Sequence, residues 1–267
     1  MTTRGVGMPP IKPMFPYFGG KRRAAPLVWS ALGQVSRYVE PFFGSGAVLL
    51  GNPRPPLSEL VNDRCHFVAN LWRSLQQDPE TVMRLASAPP SEVELKARHR
   101  WLYGEGAEQL AAVEWDDLSA CVPEIGGLWL WVACVTIKVS SADLGSGHGA
   151  GIKAAGVHLD PMRRPPTTAE VCERIARVQV MCGDWARCVR PSRLLVDNNG
   201  GGSAGIFLDP PYGDSDSVHY DDGTGNVARD VWQWACDNGD NPRLRIVVAG
   251  YDDGREVPEG WVTVERS

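Results

Sequence analysis

The interpretation of this chain starts from the stretch GIFLDPPY, residues 205–212. Its apolar half predicts a buried strand, which ends abruptly at an acid, two prolines and a tyrosine. Asp209 offers carboxylate oxygens and the peptide carbonyl of Pro210 offers another acceptor, and Pro210 and Pro211 restrain the backbone that carries them. Because Tyr212 can lie against a ring face, the four residues predict a clamp for a flat ring that bears an amino group. The plainer alternative is a strand that ends in an acidic turn.

The composition predicts a folded protein without a membrane segment or a structural metal. With 267 residues, 43% of them hydrophobic, the chain is long enough for one α/β domain and a sizeable insertion. Its longest apolar stretch, Leu128 to Val135, is far too short to span a membrane, and residues 1–7 lack the apolar core of a secretory signal. The seven cysteines, without a C-x-x-C pair, argue against a disulfide framework and a zinc site. We therefore expect a cytoplasmic protein that needs no metal.

The charge distribution allows a polyanionic partner although the net charge is −5. Residues 1–40 carry six Lys/Arg against one acid, and residues 163–193 carry seven against three. The segments 77–162 and 209–267 are acidic. Two basic segments in an acidic chain can form a local patch that contacts phosphates, and solvated surface charge is the alternative.

A second motif, YVEPFFGSG at residues 38–46, precedes the apolar helical run AVLL. A short strand followed by a Gly-x-Gly turn that opens a helix is the first crossover of a nucleotide-binding α/β fold. Gly44 and Gly46 supply the turn, but Leu49 stands where the third glycine of the dinucleotide fingerprint falls, which favours a nucleoside ligand without phosphates. Asp63 ends the next predicted strand, 19 residues after Gly44, where an acid typically accepts hydrogen bonds from ribose hydroxyls.

Further strands complete the predicted sheet. The third, at residues 178–182, ends at Asp184 and Trp185, the fourth belongs to the clamp, and the fifth spans 243–249, with a last short strand at 261–264. Asp184 and Trp185 can hold the edge and face of an adenine, and helix capping is the alternative role of Asp184. Because the carboxyl ends of parallel strands lie along one edge of a sheet, we expect the residues at these tips to meet there.

Residues 78–168 differ in character from the segments around them. They mix helical patterns with glycine-rich loops, and we interpret them as a mainly helical lobe inserted into a catalytic domain formed by residues 1–77 and 169–267. The tryptophan-rich helix predicted over 128–139 is expected to be part of a core rather than a stacking surface.

The order of four motifs resembles that of the DNA adenine methylase family, whose recognition region is inserted between the cofactor motif and the catalytic motif. The motifs are YFGGK at 17–21, PFFGSG at 41–46, ND at 62–63 and DPPY at 209–212. The resemblance covers residues 16–77 and about 170–251. It implies a Rossmann-like α/β sheet, S-adenosyl-L-methionine as cofactor, and a monomer that methylates adenine N6 in double-stranded DNA without a metal.

The resemblance also assigns roles to individual residues. Cofactor contacts are implied for residues at the N-terminal motif, the glycine turn, and the tips of the second and third strands: Tyr17, Lys21, Phe42, Gly44, Gly46, Asp63, Asp184 and Trp185. The target adenine, flipped out of the duplex, is implied to lie in the catalytic clamp of Asp209, Pro210, Pro211 and Tyr212. In this scheme Phe42 and the two glycines hold the methionine end, Asp63 the ribose, and Asp184 with Trp185 the adenine of the cofactor.

Two other interpretations stay open. The same clamp can serve the amino group of cytosine, an RNA base or the amide of a protein glutamine. The more distant alternative is a non-catalytic relative that only binds DNA or a protein partner, and the presence of Lys21, Asp63 and Asp209 argues against it.

Overall fold

The computed structural model describes residues 10–17, 21–52, 54–136, 168–195, 202–211, 227–250 and 256–264. Within these residues five parallel strands form a sheet in the order β3-β2-β1-β4-β5. The strands are β1 (Arg37–Glu40), β2 (Ser58–Asp63), β3 (Gln179–Cys182), β4 (Ala204–Leu208) and β5 (Leu244–Val248). The predicted α/β class and the Rossmann-like parallel sheet are therefore confirmed.

The point at which the strand order reverses lies between β1 and β4. Val39 of β1 pairs with Ile206 of β4, so Phe42 and Asp209, each three residues further on, leave the sheet at the same level. Ligands of open α/β sheets bind at the carboxyl ends of the strands at such a switch point. The glycine turn after β1 and the clamp after β4 are therefore neighbours.

Helices and short turns connect the strands. The α-helices are α1 (Ala25–Leu32), α2 (Ala47–Leu50), α3 (His66–Gln77), α4 (Pro79–Ala86), α5 (Glu92–Trp101), α6 (Ala107–Ala111), α7 (Pro123–Val135), α8 (Thr168–Ile175), α9 (Pro191–Leu194) and α10 (Val227–Asn238). A π-helical turn, Leu102–Gly106, joins α5 to α6, and a 3₁₀ turn, Trp185–Arg187, follows β3. No described helix has the length and apolar character that crossing a membrane requires.

Each face of the sheet packs against its own apolar core, as expected where helices cover a parallel sheet on both sides. One core includes Tyr38, Val61 and Phe207 together with buried residues of α1, α3 and α7. The other includes Val39 and Ile206 with buried residues of α10. The larger core extends without a break from the sheet into the helices of the inserted segment.

The tryptophan-rich helix α7 is core, as predicted, since Trp129 and Trp131 are fully buried. Its predicted bounds, 128–139, were wrong at both ends, because the helix begins at Pro123 and ends at Val135. The prediction left Gly126 and Gly127 outside the helix, but the tight packing of α7 against α4 requires them within it. A Cβ atom on Gly127 would lie 2.7 Å from the carbonyl oxygen of Val82.

A buried arginine fixes the connection between α6 and α7 to the sheet. Arg73 of α3 donates to the carbonyl oxygens of Trp115, Asp117 and Ala120, and its Nε donates to that of Val180 in β3. All four acceptors are backbone carbonyl oxygens, and they supply the hydrogen bonds that a fully buried guanidinium group needs. The loop between α6 and α7 is thereby held directly on the sheet. The role of the inserted helices as a lobe that recognises the target sequence stays a prediction.

The return from the inserted segment is fixed by a buried ion pair. Arg174 of α8 donates to both carboxylate oxygens of Glu59 in β2, at 2.5 and 2.6 Å, and to the carbonyl oxygen of Leu49. Bidentate geometry of this kind is the strong form of an arginine–carboxylate pair. It joins α8, β2 and α2 into one unit beneath the glycine turn.

The predicted strand at residues 261–264 was wrong. This segment has no regular secondary structure and pairs with no described strand. Trp261 instead packs on Trp232 of α10, with 5.8 Å between ring centroids, and against Gly239. The side chains of Val262 and Val264 stay exposed, as expected for a segment that is not part of the sheet.

Candidate active site at the carboxyl edge of the sheet

The glycine turn after β1 is tightly held and closely packed. Gly44 and Gly46 have φ values of +49° and +65°, which a residue with a Cβ rarely adopts. The amide of Gly44 donates to Asp63 Oδ2 at 2.8 Å, and its carbonyl oxygen accepts from Trp72 Nε1 at 2.9 Å. The ring of Tyr17 lies on Gly44, where a Cβ would come within 2.6 Å of it. The structure thus brings Tyr17, the turn and Asp63 together.

Asp63 supports the turn from the tip of β2. Besides the bond from Gly44, its Oδ1 accepts a hydrogen bond from the amide of Cys65 at 2.8 Å. The side chain is almost fully buried, and this burial raises the pKa of Asp63 to about 6, although the two backbone hydrogen bonds act in the opposite direction. Each carboxylate oxygen has two lone pairs, so the capacity to accept a ribose hydroxyl remains.

Asn62, which the sequence reasoning did not assign, fixes the spacing of three strand tips. Its Nδ2 donates to the carbonyl oxygens of Pro41, after β1, and Gly183, after β3, both at 3.0 Å. Its Oδ1 is buried and has no hydrogen-bond partner in the described part of the chain. The only sequence signal was its place directly before Asp63 at a strand end.

The tip of β3 brings Trp185 to Phe42. Their rings are stacked, with 6.2 Å between centroids and 28° between planes, and Trp234 of α10 meets Trp185 edge-on. The carboxylate of the exposed Asp184 accepts from the amide of Ala186 and so caps the 3₁₀ turn. The capping alternative for Asp184 is therefore confirmed, and its contact with a cofactor adenine stays a prediction.

The inserted segment reaches this side of the site. Arg187 of the 3₁₀ turn pairs with Asp116 and donates to the carbonyl oxygen of Cys182 at the end of β3. Trp115, the neighbour of Asp116, packs on the ring of His66 at the start of α3. The loop between α6 and α7 therefore lies beside the tips of β2 and β3.

The acid of the clamp is paired with the lysine of the N-terminal motif. Lys21 Nζ lies 2.6 Å from Asp209 Oδ2, and both side chains are mostly buried, with exposed fractions of 17% and 16%. Pro210 is buried and Pro211 half-buried after β4. Lys21 was predicted at the cofactor, so its position on the clamp carboxylate is a contact that the sequence did not indicate. Tyr212 lies outside the described residues.

Glu40 is a further acid at this edge that the sequence reasoning missed. It ends β1, is buried, and accepts a hydrogen bond from the hydroxyl of Tyr38 at 2.9 Å. Burial raises the pKa of Glu40 well above its ordinary value, the bond from Tyr38 opposes this, and the negative charge of Asp209 adds to the rise. The signal was available, since an acid stood within the short strand predicted before the glycine turn.

The arrangement fits a nucleoside-type cofactor such as S-adenosyl-L-methionine. The glycine turn lets a ligand approach the backbone closely, an acid stands at the tip of β2, and aromatic rings stand at the tip of β3. The chemistry of this set, with acceptors for hydroxyl groups and apolar faces for a base, matches a nucleoside better than a phosphate. Among the described residues, no cluster of three or more His, Cys, Asp or Glu side chains could hold a metal ion.

Comparison with known proteins finds a family model that matches part of the chain. A family model described as D12 class N6 adenine-specific DNA methyltransferase matches residues 17–103. The matched segment includes Tyr17, Lys21, the glycine turn and Asp63, and it ends within the inserted helices. No curated protein matches the chain.

Proposed function

Because residues 17–103 match the family model of D12 class N6 adenine-specific DNA methyltransferases, we propose that the chain acts as a monomer on double-stranded DNA. In this proposal it methylates the amino group of an adenine that has been rotated out of the helix. The family implies the reaction, an S-adenosyl-L-methionine-dependent methyl transfer to adenine N6. What we add is how the residues of this chain carry it out.

The observation that carries the proposal is the placement of Asp209 beside the glycine turn. Val39 and Ile206 are paired neighbours in the sheet, so the clamp and the turn leave adjacent strands on the same edge. A methyl donor held by the turn and an amino group held by Asp209 would therefore be close enough to react. Holding both reactants in one geometry supplies a large part of the rate in such transfers.

We assign the cofactor to the side of the site formed by β1, β2 and β3. Phe42, Gly44 and Gly46 would hold the methionine end, with Tyr17 packed behind the turn. Asp63 would accept from the ribose hydroxyls, and Asp184 and Trp185 would contact the adenine. When bound, the cofactor supplies a methyl group on a positively charged sulfur. Apart from Lys21, the residues are those predicted from the sequence, and the support for the assignment is their common edge: Tyr17, Phe42, Gly44, Gly46, Asp63, Asp184 and Trp185.

We assign the target adenine to Asp209 and the carbonyl of Pro210, with Pro211 and Tyr212 completing the clamp. The lone pair of an adenine amino nitrogen is delocalised into the ring, which makes the nitrogen a weak nucleophile. Acceptors on its two hydrogens localise that lone pair and stabilise the positive charge that develops on nitrogen. Asp209 and the Pro210 carbonyl would thus hold the amino nitrogen where it could accept the methyl group that a bound sulfonium cofactor would supply. The cofactor would leave as a neutral thioether, and the nitrogen would release one amino proton to solvent.

The position of the clamp supports rotation of the base out of the duplex. The Asp209 side chain is largely buried and Pro210 is buried. Inside a duplex the adenine amino group is engaged in pairing and cannot reach such a recessed acceptor. A hydrogen-bonding edge at the end of a strand therefore requires an unpaired base.

Replacement of Asp209 by Ala tests the assignment. We expect at least about a hundredfold slower transfer of labelled methyl to duplex DNA in a single turnover, as for loss of a transition-state contact. Affinity for S-adenosylhomocysteine should be nearly unchanged, because Asp209 is assigned to the base and not to the cofactor. Methylation that survives in Asp209→Ala would contradict the mechanism.

A further inference from the structure

The lysine of the N-terminal motif is fixed by its backbone before its side chain reaches Asp209. The carbonyl oxygen of Lys21 accepts hydrogen bonds from the amides of Ala24 and Ala25, both at 2.9 Å, at the start of α1. The far end of α1 is held by Arg245 of β5, whose Nη1 donates to the carbonyl oxygen of Leu32 at 2.6 Å. The ammonium group therefore extends from an anchored helix to the tip of β4.

The surroundings of Asp209 make a cation necessary. Glu40 and Asp63 are two further buried acids at the same edge of the sheet, and the charge of Asp209 contributes to the raised pKa of Glu40. An ionised carboxylate that is largely withdrawn from water is unfavourable without an opposite charge. The 2.6 Å contact with Lys21 supplies that charge at hydrogen-bonding distance.

We propose that Lys21 is a positioning residue for the reaction, which fixes the Asp209 carboxylate through Oδ2 and keeps it ionised so that it can accept a hydrogen bond from the adenine amino group. The inference rests on the proposed function, since it takes Asp209 as the acceptor for the target base. It gives the lysine a role on the catalytic carboxylate, where the sequence had placed it on the cofactor.

The physical consequence concerns both charge and orientation. An ionised carboxylate only accepts hydrogen bonds, whereas a protonated one also donates and has less capacity to accept. Without Lys21, protonation of Asp209 competes with the amino group over a wider pH range. The carboxylate also loses the contact that sets its rotation, so the distance to the amino nitrogen becomes variable.

The first test follows the titration of Asp209 directly. The protein is labelled with ¹³Cγ-aspartate, the Asp209 resonance is identified by its loss in Asp209→Asn, and its midpoint is measured in the wild type, Lys21→Met and Lys21→Arg. We expect the midpoint to rise by about 1 to 3 pH units in Lys21→Met, the usual effect of a neighbouring cation. Lys21→Arg and the exposed-site control Lys12→Met should leave it in place. An unchanged midpoint in Lys21→Met overturns the proposal.

The second test separates a role on the carboxylate from a role on the cofactor. Single-turnover methylation of duplex DNA is measured against pH, together with the affinity for S-adenosylhomocysteine. In Lys21→Met the acid limb of the rate profile should move to higher pH by the same amount as the Asp209 midpoint, while the affinity changes less than about threefold. Lys21→Arg should restore the position of the limb. A loss of affinity of tenfold or more with the acid limb in place would assign Lys21 to the cofactor instead.

The two tests also separate failure of this inference from failure of the proposed function. If the wild type transfers no methyl group to DNA, the proposed function fails, and the titration of Asp209 still decides whether Lys21 controls the carboxylate. If the wild type is active and the titration does not depend on Lys21, only the inference fails.

Discussion

The buried carboxylate of Asp63 predicts a cofactor affinity that depends on pH. Burial raises its pKa from the ordinary value of 3.8 to about 6, so near neutral pH a small acidification protonates it. If the ionised form accepts from ribose hydroxyls, protonation weakens those bonds. At pH 5, one unit below the pKa, only about a tenth of the protein retains the ionised form, so affinity for S-adenosylhomocysteine should fall roughly tenfold.

The same shift makes a prediction for stability with a defined sign. The folded protein holds the Asp63 proton more tightly than the unfolded chain, so ionisation of this group removes stability as the pH rises from about 4 to about 6. The rise from 3.8 to about 6 corresponds to about 3 kcal/mol at 1.36 kcal/mol for each pKa unit. In Asp63→Asn this pH-dependent loss should be absent, although one of the two backbone amides then loses its acceptor.

The assay compares the wild type with Asp63→Asn between pH 4 and pH 8. Calorimetric titration gives the affinity for S-adenosylhomocysteine, and urea unfolding gives the free energy of unfolding at each pH. We expect the wild-type affinity to fall below pH 6, whereas the Asp63→Asn protein should bind weakly with little pH dependence. A flat wild-type affinity from pH 5 to pH 7, or the same slope in Asp63→Asn, would refute the reasoning and remove Asp63 from the ribose.

Two further substitutions test the turn and the tip of β3. Gly44→Ala places a Cβ within 2.6 Å of the Tyr17 ring at a φ of +49°, so we expect the backbone conformation alone to cost about 1–2 kcal/mol of folding free energy. Binding of S-adenosylhomocysteine in calorimetric titration should be at least tenfold weaker, and unchanged affinity would contradict a cofactor site at the turn. Asp184→Ser keeps an oxygen that can cap the 3₁₀ turn but removes the carboxylate. If Asp184 also holds the cofactor adenine, affinity falls while the unfolding midpoint stays constant; equal affinity in the two proteins would leave Asp184 as a cap only.

The sheet and the site at its edge could be predicted because local patterns specify them. The apolar runs that end at Asp63 and Asp209 predicted strand tips, and the glycines at 44 and 46 predicted a turn that opens a helix. The spacing from Gly44 to Asp63 placed them together, and the structure shows a hydrogen bond between them. In each case the signal lay within a few residues or in a motif of known spacing.

The features that could not be predicted depend on contacts between distant parts of the chain. Lys21 and Asp209 are 188 residues apart in the sequence, and the packing of α1 on the sheet brings them together. Nothing local to Arg73 indicates its burial, because three carbonyl groups from a later loop and one from β3 surround it. Gly127 lay outside the predicted helix because the close approach of Val82, which favours a glycine there, is invisible in the sequence.

The predicted strand at 261–264 failed for a related reason. Alternating apolar residues indicate a strand only if one face has a core to cover and one edge has a partner. The ring of Trp261 packs on Trp232 of α10, and its segment forms no strand of the sheet. Pairing within a sheet is a tertiary property, which a short apolar segment cannot indicate by itself.

The measurement that tests the central claim most directly is analysis of the methylated product. Unmethylated duplex DNA is incubated with S-adenosyl-L-methionine and the wild-type protein or Asp209→Ala, digested to nucleosides and analysed by mass spectrometry. The account predicts N6-methyladenine with the wild type and about a hundredfold less with Asp209→Ala over the same early time. N4-methylcytosine, or DNA without any methylated nucleoside although the protein binds S-adenosylhomocysteine, would contradict it.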